Sequence, residues 1–103
     1  MADTINHLPI SADDIGEFCR RWKIRRWSLF GSVLREDFNP HSDVDVLVAF
    51  RSDAEWSLWD WIEMIGELKQ LFGRDVDLVE EPGLRNPFRR HEILRTRKVV
   101  YEE

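Results

Sequence analysis

An α/β (α+β) fold, a small mixed β-sheet with helices packed on it, is what this sequence predicts, on three observations. Residues 43–50 and 75–79 alternate apolar with polar side chains, the period of half-buried strands. The stretch between them, 52–72, carries apolar residues at helical spacing. Upstream, a short apolar run, 27–30, ends abruptly at Gly31-Ser32, the signature of a strand closing in a turn. Helices that alternate with strands pack as layers around one sheet.

The elements follow in order. Ser11, with Asp14 three residues on, predicts a helix N-cap, and the helix runs to about Trp22. Residues 27–30 form a strand. Residues 32–35 open a short helix whose N-terminus lies at the Gly-Ser turn, and 36–42, with Phe38, Asn39 and Pro40, read as loop. In the strand 43–50, Val44, Val46 and Val48 face one side, and Asp43, Asp45 and Leu47 the other. Ser52 and Glu55 form a capping box that starts the longest helix. Its core stripe is Trp59, Ile62, Ile65, Leu68 and Phe72, and Gly73 caps its end. The strand 75–79 follows. After a Pro/Gly-bearing loop, Pro87 opens a final helix, and 99–101 form a last short strand.

The 103 residues amount to one small domain, 1–103, with enough apolar residues (43%) for a single core. A net charge of −5 argues against direct nucleic-acid binding by the whole surface. The charge is uneven. Arg20, Arg21, Lys23, Arg25 and Arg26 cluster before the Gly-Ser turn, and Arg85, Arg89, Arg90, Arg95, Arg97 and Lys98 near the end. Solvated helix faces account for such clusters, and one or two of these arginines meeting phosphate is the sharper reading. The single cysteine, Cys19, excludes an internal disulfide and falls on the apolar face Ile15-Phe18-Cys19-Trp22, as a core thiol. With no membrane-length apolar run and no signal-peptide pattern, the expectation is a soluble cytoplasmic protein.

The chemistry concentrates on carboxylates. Asp43 and Asp45 share one strand face, about 6–7 Å apart at a rise of roughly 3.3 Å per residue. Carboxylate oxygens suit one or two Mg²⁺ ions, and a Gly-Ser turn lets backbone N–H groups approach a phosphate closely. An ordinary half-exposed strand would show the same alternation. Asp77, in Val76-Asp77-Leu78-Val79, adds a third carboxylate if the two strands are neighbours, with Asp75 contesting that role on the same face. Such a trio could hold two metals for an in-line displacement, and Asp77 could instead accept the proton of an attacking hydroxyl. Other sites fit less well. There is no Gly-x-x-x-x-Gly-Lys-Ser/Thr loop, and His7, His41 and His91 lack metal-ligand spacing. An aspartate-nucleophile phosphatase would place Asp-x-Asp after its strand, and Leu47 stands where a calcium loop needs Gly.

The segment from Phe30 to Val48 resembles the minimal nucleotidyltransferases, a branch of the DNA polymerase β-like superfamily. Their pattern is Gly-Ser, ten residues, then Asp-x-Asp, with an Arg shortly after the Ser and a Ser just before the first Asp. Gly31-Ser32, Arg35, Ser42 and Asp43-Val44-Asp45 match it, Asp77 matches the family's third acidic residue, and the closing Val99-Val100-Tyr101 is also similar. The resemblance runs from about residue 25 to the end. It departs at Glu36, where many members have Gly.

The resemblance implies a polymerase β palm-like fold, Mg²⁺ as cofactor, ATP as substrate, and transfer of AMP to a hydroxyl with release of pyrophosphate. By the same resemblance Asp43, Asp45 and Asp77 hold the metals and do the catalysis, and Gly31, Ser32, Arg35 and Ser42 bind the nucleotide. Small members resemble antitoxins of HEPN/MNT toxin–antitoxin pairs, which add AMP to a tyrosine of a HEPN ribonuclease. An aromatic surface at Trp56, Trp59 or Trp61 is then a candidate docking site, although Trp59 falls on the predicted core stripe. Two alternatives stay open: a non-catalytic module that neutralises its partner by occlusion, and a nucleotidyltransferase acting on a small molecule such as an aminoglycoside.

Overall fold

The computed structural model describes Leu8 and residues 10–34 and 42–103. Four strands form one sheet in the order β3-β2-β1-β4. They are β1 (Ile24–Phe30), β2 (Val44–Phe50), β3 (Val76–Glu80) and β4 (Lys98–Glu102). β1 pairs antiparallel with both β2 and β4, while β2 and β3 run parallel. A parallel pair needs a crossover, and α2 (Leu58–Phe72) supplies it. α1 (Ala12–Arg21) and α3 (Pro87–Thr96) complete the layers. The expected mixed sheet with packed helices is what the chain forms.

The two faces of the sheet are built differently. On one face Val44, Val46 and Val48 of β2 pack with Trp27, Leu29, Val76 and Leu78 beneath α1 and α2. The helices contribute Ile15, Phe18, Cys19, Met64, Leu68 and Phe72, and the Trp27 and Phe72 rings stack at 6.1 Å. Burial pushes the Cys19 thiol up to about 12, so it is a core group. On the other face a smaller cluster, Phe30, Leu47, Leu84 and Ile93, seats α3. No helix among the described residues is long and apolar enough to cross a membrane.

The caps show why the helices start where they do. The Ser11 hydroxyl accepts the Asp14 N–H at 3.2 Å, as expected. α2, however, does not start at Ser52. Its capping box is Ser57 with Asp60: Ser57 Oγ accepts the Asp60 N–H at 3.2 Å, and the Asp60 carboxylate accepts the Ser57 N–H at 2.9 Å. The delay has a physical cause. The Trp56 indole N–H donates to the Trp22 carbonyl at 2.9 Å and its ring packs edge-on to Trp22, which holds the preceding segment in a loop.

The core stripe of α2 is corrected with its start. Met64, Leu68 and Phe72 are buried, and Trp61 and Ile65 pack beside them. Trp59 and Ile62, expected in the core, are 77% and 51% exposed. The helix is apolar on more than one side, and the sequence spacing alone did not select the face that meets β2. Gly73 ends the helix in the left-handed region, φ 69°, as a C-cap. β1 begins at Ile24, three residues before the expected run, because its pairing partners extend to Phe50.

Candidate active site

β1 ends at Phe30, which pairs with Asp45 on the neighbouring strand. The chain then turns through Gly31 at φ 73°, a conformation that L side chains rarely adopt. Gly31 also lies flat against Asp45. A Cβ there would fall on the Asp45 Oδ2 and 3.1 Å from its Cγ, so a side chain at this position would displace the Asp45 carboxylate. A single 310 turn, Gly31–Leu34, follows. The Ser32 N–H donates to the Asp45 carboxylate, and the Ser32 hydroxyl donates to the Asp43 carbonyl at 3.3 Å. The turn is thus tied to both ends of the Asp43-Val44-Asp45 segment. Ser42 is half-buried, and its carbonyl accepts a bond from Arg74 Nη1 at 3.4 Å. Arg35, the nucleotide-binding candidate, lies outside the described residues, as does His41.

The parallel register sets Asp77 directly beside Asp45. Side chains paired across a ladder point to the same face, so the two carboxylates stand next to each other. Asp43 sits one residue before β2, exposed, on the same face by alternation. Burial raises the Asp45 carboxyl above the usual carboxylate range, and the charges of Asp77 and Asp43 push it further. The Ser32 N–H and the Arg89 guanidinium oppose that rise. Asp75 is placed elsewhere: its carboxylate pairs with Lys69 of α2 at 3.6 Å, and its carbonyl accepts the Val44 N–H at 2.9 Å. Between the two contenders, Asp77 is the one whose register partner is Asp45.

Among the described residues no three Asp, Glu, His or Cys side chains are drawn into a closed ligand cluster. Three ionised carboxylates repel one another without a counter-charge, and Asp43 and Asp77 are exposed enough to turn freely. The donor set is oxygen only. That chemistry fits a hard divalent cation such as Mg²⁺ rather than a metal that favours nitrogen or sulfur.

A cleft of about 600 Å³ opens beside the turn. Phe30, Gly31, Ser32, Leu34 and Asp45 form one wall, and Arg89, Glu92, Ile93 and Thr96 of α3 form the other. The four α3 residues follow i, i+3, i+4, i+7 spacing, one helix face. Reading the sequence placed Arg89 only in a basic cluster and gave no role to Glu92 or Thr96. The helical spacing was the available signal, but nothing in sequence connects that face to a turn almost sixty residues upstream.

α3 is positioned by a nearly buried carboxylate. Asn86 caps it, accepting the Phe88 and Arg89 N–H groups at 3.0 and 3.2 Å. Glu81, only 8% exposed, accepts Arg26 Nη1 on both oxygens at 3.1 Å and Arg97 Nη1 at 2.9 Å. Its carbonyl accepts Arg90 Nη1 at 2.9 Å. Most of the remaining basic side chains have partners too: Arg21 with Glu67, Lys23 with Asp53, Arg51 with Glu103, and Arg95 with Glu92.

Comparison with known proteins gives the family of the chain. The sequence model of the nucleotidyltransferase domain matches residues 15–100. The protein adenylyltransferase MntA of Thermococcus cleftensis is 35% identical over 85 residues, 82% of this chain and 81% of that one. A Methanocaldococcus jannaschii protein assigned as a protein adenylyltransferase is 31% identical over 68 residues, 66% of this chain and 68% of that one. A solved structure assigned as a minimal nucleotidyltransferase is 34% identical and covers 84% of this chain and 86% of its own, with a TM-score of 0.69. A chain of a toxin–antitoxin structure with AMP-PNP shares the fold, with a TM-score of 0.71 at 22% identity, over 91% of this chain and 75% of its own.

Proposed function

The chain belongs to the nucleotidyltransferase domain family, and we propose that it transfers AMP from ATP to a hydroxyl of a partner protein. The acceptor is a tyrosine of a HEPN ribonuclease toxin, which the modification silences, so that this chain acts as the antitoxin. The observation that carries the reading is the placement of Asp45. Its carboxylate lies against the Gly31-Ser32 turn and directly beside Asp77. Anion-binding donors and oxygen ligands therefore meet within one side chain's reach, as nucleotidyl transfer requires.

Asp43, Asp45 and Asp77 would hold Mg²⁺, which supplies charge neutralisation for the triphosphate and for the departing pyrophosphate. Gly31 and Ser32 would orient the phosphates through backbone N–H groups, with Arg35 and Ser42 alongside. The acceptor oxygen attacks the α-phosphorus, the bond to pyrophosphate breaks, and the hydroxyl proton leaves to a carboxylate. Asp77 is the candidate for that proton if it does not serve as a ligand, because it is exposed and stands beside Asp45. The similarity to the Thermococcus protein adenylyltransferase supports a protein acceptor over a small molecule.

The test mixes the chain, Mg²⁺, ATP labelled at its α-phosphate and the HEPN protein encoded beside it. Label on the partner, lost in the double substitution Asp43→Ala/Asp45→Ala, is the expected result. No label, with ribonuclease inhibition surviving the double substitution, overturns transfer in favour of occlusion.

A further inference from the structure

We propose that Arg89 of α3 is a triphosphate-binding residue, the cation that faces the Gly-Ser turn across the cleft. The inference rests on the nucleotidyltransferase reading and deepens it.

Three observations carry it. Arg89 is the only basic side chain among the described residues that line the cleft. The acidic group on its wall, Glu92, is already paired with Arg95 at 2.8 Å, so Arg89 sets the sign of the α3 wall. Arg89 itself makes no salt bridge among the described residues, whereas Arg26, Arg90 and Arg97 are committed to Glu81. An exposed guanidinium held at a cleft without a fixed partner is available for a ligand anion, and its planar fork suits phosphate oxygens.

The fold explains why Arg89 points there. Successive helix residues are rotated by about 100°. Anchoring Arg90 on the Glu81 carbonyl therefore turns Arg89 away from Glu81 and toward Gly31 and Ser32. The Asn86 cap fixes the Arg89 backbone through its N–H. Ser32 and Arg89 line opposite walls of the same cleft, with Asp45 beside the turn. A triphosphate entering the cleft meets donors from both walls.

Calorimetric titration of the full chain with ATP and Mg²⁺ tests this without turnover. Arg89→Ala weakens ATP binding about 10- to 100-fold, the scale of losing a hydrogen bond to a charged group. It weakens AMP binding less, because the β- and γ-phosphates are absent. Arg89→Lys falls between, keeping charge but not the fork. Arg85→Ala removes the same charge outside the cleft and leaves ATP binding unchanged. Thermal melts confirm folding, and the exposed Arg89 is replaceable without core loss. Unchanged ATP affinity in Arg89→Ala, or an equal loss in Arg85→Ala, overturns the assignment while the nucleotidyltransferase reading stands. A wild-type chain that binds no ATP defeats that reading and the assignment with it.

Discussion

The two faces of the sheet do different work, and one strand serves both. Toward α1 and α2, β2 presents Val44, Val46 and Val48, each fully buried in a dry apolar layer. Toward α3 it presents Asp45, Leu47 and Ala49, and this side is held by a small apolar cluster and the Glu81 ion-pair network. The first face is apolar apart from such groups as the buried Trp27 Nε1, which has no hydrogen-bond partner among the described residues. The second has an open cleft and charges that oppose one another. Strand alternation thus separates the buried apolar face from the carboxylate face by a single residue step.

The largest expected effect lies on the dry face. Trp27, 1% exposed and stacked on Phe72, should cost about 3–5 kcal/mol when replaced by alanine. Urea melts measure this. ATP affinity below the transition should stay near wild type, and a matching loss of affinity would break the separation of the faces. Next comes Glu81→Ala, which leaves Arg26 and Arg97 partly buried without their shared acceptor. Removing one partner of a buried pair costs about 3–5 kcal/mol, and Arg26 keeps Glu102 at 2.6 Å, which places this loss at the low end. Here ATP affinity should fall as well, because the network positions α3 and its cleft-facing residues.

A smaller effect should carry the opposite sign. Burial and the Asp77 charge raise the Asp45 carboxyl, so the folded state disfavours its ionised form. With a raised folded value, the stability linked to this group is full below the unfolded carboxylate value, about pH 4, and is lost as pH rises through the folded value. In metal-free buffer, Asp45→Asn should therefore melt higher than wild type at neutral pH and show little gain at pH values below about 4. The same substitution should abolish nucleotidyl transfer. A melting temperature unchanged at neutral pH would show that the carboxylate face carries no such conflict.

The sequence made one of these faces more legible than the other. Gly31-Ser32 and Asp43-Val44-Asp45 are readable because one turn and one strand bring them together, and the period of two states their common face. Asp77 is readable once β3 is assumed to lie beside β2, which an intervening helix implies. Arg89 and Glu81 are not readable in the same way. Both depend on α3 folding back over β1 and β2, and Glu81 sits in Glu80-Glu81-Pro82-Gly83, a run that reads as solvated loop although Glu81 is buried. The α2 error was of another kind. Ser52-x-x-Glu55 and Ser57-x-x-Asp60 are both plausible boxes five residues apart, and the choice between them fell to a tertiary hydrogen bond from Trp56.

That ambiguity yields the smallest effect and a direct test of how the dry face is assembled. Ser57→Ala removes an acceptor used by the Asp60 N–H, and losing such a cap typically costs about 1 kcal/mol. Ser52 is exposed in the loop before the helix, and Ser52→Ala should change stability by less than about 0.5 kcal/mol. The difference matters beyond its size, because the cap fixes where the helical rotation begins. Starting at Leu58 sends Met64, Leu68 and Phe72 to the sheet and leaves Trp59 and Ile62 outside. Comparable costs for both serines would mean that the loop before α2 is helical in solution, and that the face meeting Val44, Val46 and Val48 is chosen by packing alone.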